Sequence, residues 1–418
     1  MSAVVGDRPA RVRRITILLA LAVFVGYVDR ATLSTVAPAL KGELGISNAQ
    51  MGLLLSAFFW IYAPAQLPGG WCAQRYVVRY VLALGLVLWS LATLGSALVN
   101  GFAILFALQL FLGLGQAAFF PCASRMLAEA APEEERGRAN ALISTGLALG
   151  PMVGTLAGGL ILAQFGWRWV FLSFGLASLL WLWPWLIARQ PAPLPHPDIA
   201  AASPPPNYVD ILRQRSAWGA SLGHFAGAYS HFMMLTWLPT YLVAGQGFSL
   251  GAMAVIGGTV YFARAAGSLL SGHLSDRLIL RGADVNRVRK AFILSGTAGV
   301  GTAMLACSIA GGWTAAVLLL VGGFCLGVNS PMVYSIGQTL AGPRAAGRWM
   351  GMQLFVGSCA GIAAPIVTGV ILDRTGSYFW AFATAAMICA VGAFCWGVVI
   401  ARVAPVAWGG AQARTIGY

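Results

Sequence analysis

GGWCAQR, residues 69–75, returns in outline as SGHLSDR, residues 271–277, and each copy follows a long apolar run. A second echo pairs RGRANALISTGLALG (136–150) with AGRWMGMQLFVGSCAG (346–361). In it Gly137-Arg138 answers Gly347-Arg348, while Gly146 and Gly150 answer Gly357 and Gly361. A chain with 52 glycines produces single matches cheaply. These recur in order at corresponding places in two blocks, so the chain reads as a tandem repeat.

The blocks are built for a bilayer. The chain has 418 residues, is 59% hydrophobic and only 9% charged, more apolar surface than a soluble fold of this length can hide. A span needs about 20 apolar residues, and about twelve such runs lie between charged or Pro/Gly-rich breaks. They fall near 15–40, 49–72, 80–98, 101–129, 138–164, 167–188, 217–243, 249–273, 291–311, 313–341, 349–372 and 377–401. The expected fold is therefore an all-α membrane protein, with twelve transmembrane helices in two six-helix bundles. The N-terminal bundle occupies 1–188. A Pro-rich cytoplasmic linker, 189–216, contains RQPAPLPHPDIAAASPPPNYVD, which cannot form a packed element. The C-terminal bundle, with a short tail, occupies 217–418.

With both termini in the cytoplasm, nearly all arginines lie on inner segments and the outer loops keep only Lys41, Arg168 and Arg374. That is the orientation the positive-inside rule selects. The net charge of +14 then reflects anchoring at the inner leaflet. No basic-aromatic cluster points to nucleic acid. The first run has a polar middle and no small-residue cleavage site, so it reads as a span and not as a cleaved leader. The seven cysteines are scattered, without metal-ligand spacing, and read as small buried hydrophobes. Arginine heavily outnumbers lysine, the usage of a GC-rich bacterial genome, which places the chain in an inner membrane.

A charge at mid-membrane costs roughly 2.5–3.5 kcal/mol on insertion scales and marks a cavity or a partner. Of the twelve acids only Asp29 lies deep in a span, and of the 26 bases only Arg30 and Arg264 do. Tyr27, Arg30 and Ser34 share one helical face, with Asp29 turned to its side. Arg264 is a candidate second anion clamp, because a guanidinium binds carboxylate as a fork; snorkelling or a structural partner would equally explain it. His224 and His231 lie i, i+7 on the seventh span; an imidazole is the side chain able to titrate near neutral pH, and a lone buried histidine is more often structural. Gln109, Gly113 and Gln116 line one face of the fourth span. Gly146, Gly150 and Gly154 form a small-residue line that lets helices approach closely.

The strings YVDRATLSTVAPAL (27–40), FFWIYAPAQLPGG (58–70), ERGRANALISTGLALGPMVG (135–154), FGWRWVF (165–171), LTWLPTYL (235–242) and LAGPRAAGRWMGMQ (340–353) resemble the anion:cation symporters of the major facilitator superfamily. That group includes bacterial galactonate, glucarate and hexuronate permeases and is related to sialin and the vesicular glutamate transporters. The resemblance implies proton-coupled import of a small organic anion by alternating access, with no cofactor beyond the proton. It implies proton coupling at Asp29 and substrate binding at Arg30, with Tyr62, Tyr334 and Gln353 around the anion; the helical stripe adds Tyr27, and Arg264, where the family usually has a small residue, joins them as the second deep cation. Gln109, Gln116 and His231 would line the cavity. The gating motif maps to Gly70, Gln74, Arg75 and Arg79 in the first half, and to Gly272, Asp276 and Arg277 in the second.

Three departures from the family pattern stand out. Gln109 and Gln116 replace an Arg and a Glu. Gln74 replaces the gating Asp, which would otherwise meet a helix N-terminus. Leu354 follows Gln353 where relatives often have Asn, which suggests a substrate less hydroxylated than a sugar acid. Two other readings stay open: an exporter or exchanger of organic anions or amphipathic compounds, and a non-transporting sensor on the same scaffold. No nucleophile-base pair, metal cluster or phosphate loop points to an enzyme. One chain supplies both halves of the pathway, so a monomer should suffice.

Overall fold

The computed structural model describes residues 8–130, 133–188 and 206–408, and these contain helices and no strand. Most of the expected linker and tail lies outside them. The first half runs Arg8–Leu44, Asn48–Arg75, Val78–Ser96, Phe102–Ala117 with Phe119–Ala130, Glu133–Phe165 and Trp167–Ile187. The second runs Arg215–Thr240, Leu250–Leu280, Val285–Ile309, Gly312–Thr375 and Tyr378–Phe394. Gly312–Thr375 is two spans, divided where Gly342 adopts φ 64° and ψ 173°, a conformation that an L side chain resists. Counted this way, twelve helices follow the twelve expected spans. Ten are long and apolar enough to cross a membrane. The second and seventh, Asn48–Arg75 and Arg215–Thr240, have the length.

Pro121 divides the fourth span. It lacks an N–H, and its ring crowds the carbonyl of residue 117, so the helix breaks at Ala118. Other prolines, such as Pro38, Pro64 and Pro151, remain inside helices, which a membrane helix tolerates where neighbouring groups take up the freed carbonyls.

Two compact units emerge. The first joins residues 1–197 to 233–262 and 362–378; the second holds 198–232, 263–361 and 379–418. Packing thus departs from the order of the chain, since parts of the seventh, eighth and eleventh spans belong with the first half. Within the first unit, the glycine line of the fifth span lies against the first span. A Cβ on Gly146 would meet Ala20 O at 2.5 Å, one on Gly150 would meet Tyr27 Cβ at 2.5 Å, and one on Gly154 would meet Ala31 Cβ at 2.9 Å. The two helices can be this close only without side chains there, and that contact fixes the rotation of the Tyr27–Arg30 turn. Within the second unit, Trp349, Trp396, Ile293, Met332 and Ile336 form a buried core.

Candidate functional site

Arg30 is held from four sides. Its guanidinium carbon stands 4.4 Å from the Tyr27 ring centre, 4.5 Å from Phe58 and 4.4 Å from Tyr62. Its Nε donates to Gln116 Oε1 at 2.7 Å, and Gln116 Nε2 donates to Gly26 O at 3.1 Å. The second bond fixes which end of the amide faces the arginine. Phe58 and Tyr62 lie one helical turn apart and stack at 4.8 Å. A bare Gly113 lets the fourth span reach their backbone, since a Cβ there would lie 2.3 Å from Phe58 O. A desolvated guanidinium over an aromatic face gains about 2 kcal/mol, so three rings hold it strongly while leaving its charge uncancelled. No ion pair to Arg30 is found among the described residues. Beside it lies a void of about 10 Å³, lined by Gly26, Tyr27, Arg30, Trp89, Gln116 and Phe119 among others, room for roughly one water.

Asp29 points elsewhere. It is 3% exposed, and its Oδ2 accepts the Ser178 hydroxyl of the sixth span at 2.7 Å. Its Oδ1 and the Trp89 indole nitrogen are buried without a hydrogen bond of standard geometry. Adjacent residues of the first span therefore serve two surroundings, with Arg30 facing the second and fourth spans and Asp29 facing the sixth.

In the second unit, Arg264 Nη1 lies 3.4 Å from His231 Nε2, a long contact in which the imidazole nitrogen is the acceptor. Tyr334 is 43% exposed, and its ring stands 6.0 Å from that of His224. Gln353, placed around the anion by the sequence, is held within the helix packing. It is fully buried, its Nε2 donates to Val333 O, and its Oε1 accepts from Trp349 Nε1, both at 3.2 Å. Both ends of the amide are thus engaged in packing the tenth span against the eleventh. Its carbonyl also meets His224 Nδ1 at 3.1 Å, which gives that histidine a structural partner.

Gln109 is buried in the fourth span. Of the gating motif, the surroundings of Gly70 and the Gln74 side chain lie outside the described set. Arg75, Asp276 and Arg277 are exposed, Gly272 is half-buried with open space where a Cβ would be, and Arg79 O accepts the Trp185 indole at 3.0 Å. Three residues about these charges escaped sequence reasoning. Phe58 had a signal, its i, i+4 spacing to Tyr62. Ser178 and Trp89 had none, because a lone Ser or Trp in an apolar span is ordinary.

Comparison with known proteins fits this geometry. The probable sulfoacetate transporter of Cupriavidus necator is 29% identical over 90% of this chain and 91% of its own. The probable galactarate/D-glucarate transporter of Bacillus subtilis is 28% identical over 87% and 86%. Among solved structures, a bacterial homologue of the human lysosomal transporter Spinster superposes with a TM-score of 0.79 at 18% identity, covering 92% of this chain and 96% of that one; it shares the fold. The family described as Major Facilitator Superfamily matches residues 19–365. Agreement in family, fold and full-length relatives makes this chain a multi-pass membrane transporter, not an enzyme, and it belongs to the Major Facilitator Superfamily.

Proposed function

We propose that the protein imports a small organic anion together with a proton, with Arg30 as the anion's anchor. The observation that carries this reading is the guanidinium clamped by Tyr27, Phe58, Tyr62 and Gln116, all of them neutral. A cation so held is oriented and touches no acid directly, which leaves its fork to a carboxylate or sulfonate as a bidentate partner. The relatives named for sulfoacetate and galactarate/D-glucarate support the substrate class.

Charge balance gives Asp29 its role. With the site empty, an ionised Asp29 offsets Arg30 within the same helical turn. With a monoanion bound, a protonated Asp29 keeps the sum unchanged, so the bundle crosses between states without an uncompensated buried charge, which would be costly. Gln116 cannot titrate, so this cycle carries one proton per monoanion. Ser178, bonded to Asp29 Oδ2, ties that proton to the sixth span. The setting is a bacterial inner membrane, with both termini cytoplasmic and a monomer as the working unit.

Exchange is the second reading. Its support is the neutrality of Gln116, because an empty site that keeps a full positive charge returns more readily when reloaded. Proteoliposomes with an imposed pH gradient separate the two. A panel of sulfoacetate, galactarate, D-galactonate and an aromatic carboxylate should contain one anion whose uptake rises with an inward proton gradient and fails in Asp29→Asn. Counterflow indifferent to pH would instead establish exchange.

A further inference from the structure

The helix of the second span opens with a reciprocal cap. Ser47 Oγ accepts the Gln50 N–H at 3.2 Å, and Gln50 Oε1 accepts the Ser47 N–H at 2.9 Å. The first N–H groups of any helix lack intrahelical acceptors, and this cap satisfies those of Ser47 and Gln50. The N–H groups of Asn48 and Ala49 go instead to the two oxygens of Asp373, at 2.9 and 2.7 Å. Asp373 stands 325 positions from Asn48, on the last turn of the eleventh span. A carboxylate from one half of the chain thus caps a helix of the other, and both partners lie in the first compact unit.

The backbones are shaped for this reach. Pro365, Gly369 and Asp373 follow one another at four-residue steps along one face of the eleventh span, and Asn48 and Gly52 do the same on the second. A Cβ on Gly369 would lie 2.3 Å from Asn48 O, and one on Gly52 would lie 2.3 Å from Pro365 O. Lys41 Nζ steadies the same turn by donating to Asn48 Oδ1 at 2.5 Å. The corresponding contact of the fifth and eighth spans is equally tight, with a Cβ on Gly159 falling 2.5 Å from Ala254 Cβ. There the eighth helix is capped by its own Ser249, which accepts the Ala252 N–H at 3.2 Å, and among the described residues no carboxylate crosses over.

We infer that Asp373 and the start of the second span form a latch that holds this end of the carrier, the end away from the chain termini, closed. When the eleventh span withdraws, the two N–H groups and the carboxylate pass to water. The latch is exposed, so its contribution is modest, as suits a contact broken once in every cycle. It depends on neither the anion nor the coupling ion. The sequence places a carboxylate-to-helix contact of this kind at the gating loop, where Gln74 stands in place of Asp. The contact occurs at the opposite end of the same helix.

The test is electron paramagnetic resonance on the full chain in nanodiscs, with the native cysteines replaced and nitroxides at Gly42→Cys and Arg374→Cys, both exposed positions. The parent should show a dominant short distance. Asp373→Ala should raise the long-distance population at least about threefold, with Asp373→Asn in between, because helix-end charge contacts of this kind are worth only part of a factor of ten. Glu43→Gln, which removes another exposed acid at this end, should leave the distribution unchanged. Gly369→Ala, which separates the helices without touching charge, should shift it in the same direction as Asp373→Ala. Unchanged distances in both Asp373 variants overturn the latch. So does an equal shift from Glu43→Gln, or a shift seen in Gly369→Ala alone.

Discussion

Arg30 and Arg264 are the two deep arginines of the chain, and their surroundings differ in kind. Arg30 is clamped by three aromatic rings and an amide that is itself pinned to Gly26 O. Arg264 sits 3.4 Å from His231, a neighbour that can titrate. Neutral groups preserve both the charge and the orientation of a guanidinium at every physiological pH. An imidazole makes its surroundings depend on pH. The first arrangement suits an anchor, whereas the second suits an adjustable secondary contact.

The comparison can be broken at several points. Arg30→Lys keeps the charge and removes the fork. Truncating a buried charged contact costs about 2–5 kcal/mol, so initial uptake should fall by roughly 100-fold, measured with radiolabelled anion in proteoliposomes. Asp29→Asn should reduce gradient-driven accumulation to background and leave counterflow largely intact, since the amide has the shape and neutrality of the protonated carboxyl that the loaded carrier would hold. Gln116→Glu sets an acid against the anchor. A hydrogen bond to a charged group is worth about 1.5–3 kcal/mol, so anion affinity should weaken about tenfold or more at alkaline pH and recover on acidification. Arg264→Gln should cost only a few-fold, within the range of about 1 kcal/mol expected of an incompletely desolvated contact. A loss there equal to that of Arg30→Lys would erase the distinction.

The fold was legible because its signals are long and redundant. Twelve apolar runs give the spans, the arginine distribution gives an orientation, and the echoed motifs give a repeat of six, while the glycine line at 146, 150 and 154 meets the first span closely. The site was legible in part. Arg30 and Asp29 announce themselves as charges in an apolar span, and Gln116 was noticed as a departure from an expected acid. The direction each side chain faces was harder to read. Asp29 finds Ser178, a residue 149 positions away, and nothing local in either segment encodes that meeting. Gln353 shows the opposite difficulty. A polar residue in a span suggests a cavity, but this amide is satisfied by Val333 and Trp349 within the core, and a sequence does not distinguish a satisfied amide from one awaiting a ligand. Asp373 escaped notice because an acid at a span end is ordinary until its partner is known.

Calorimetric titration of the purified full chain, with the anion identified from the transport panel, tests the central claim most directly. Parent, Arg30→Lys and Arg264→Lys should be compared under one buffer and at two pH values. The account predicts that Arg30→Lys weakens binding by about 50-fold or more at both pH values, while Arg264→Lys weakens it by less than about tenfold and more variably with pH, since only the first loses a fork oriented by three rings and an amide. Equal losses, or a larger loss at Arg264, would contradict it.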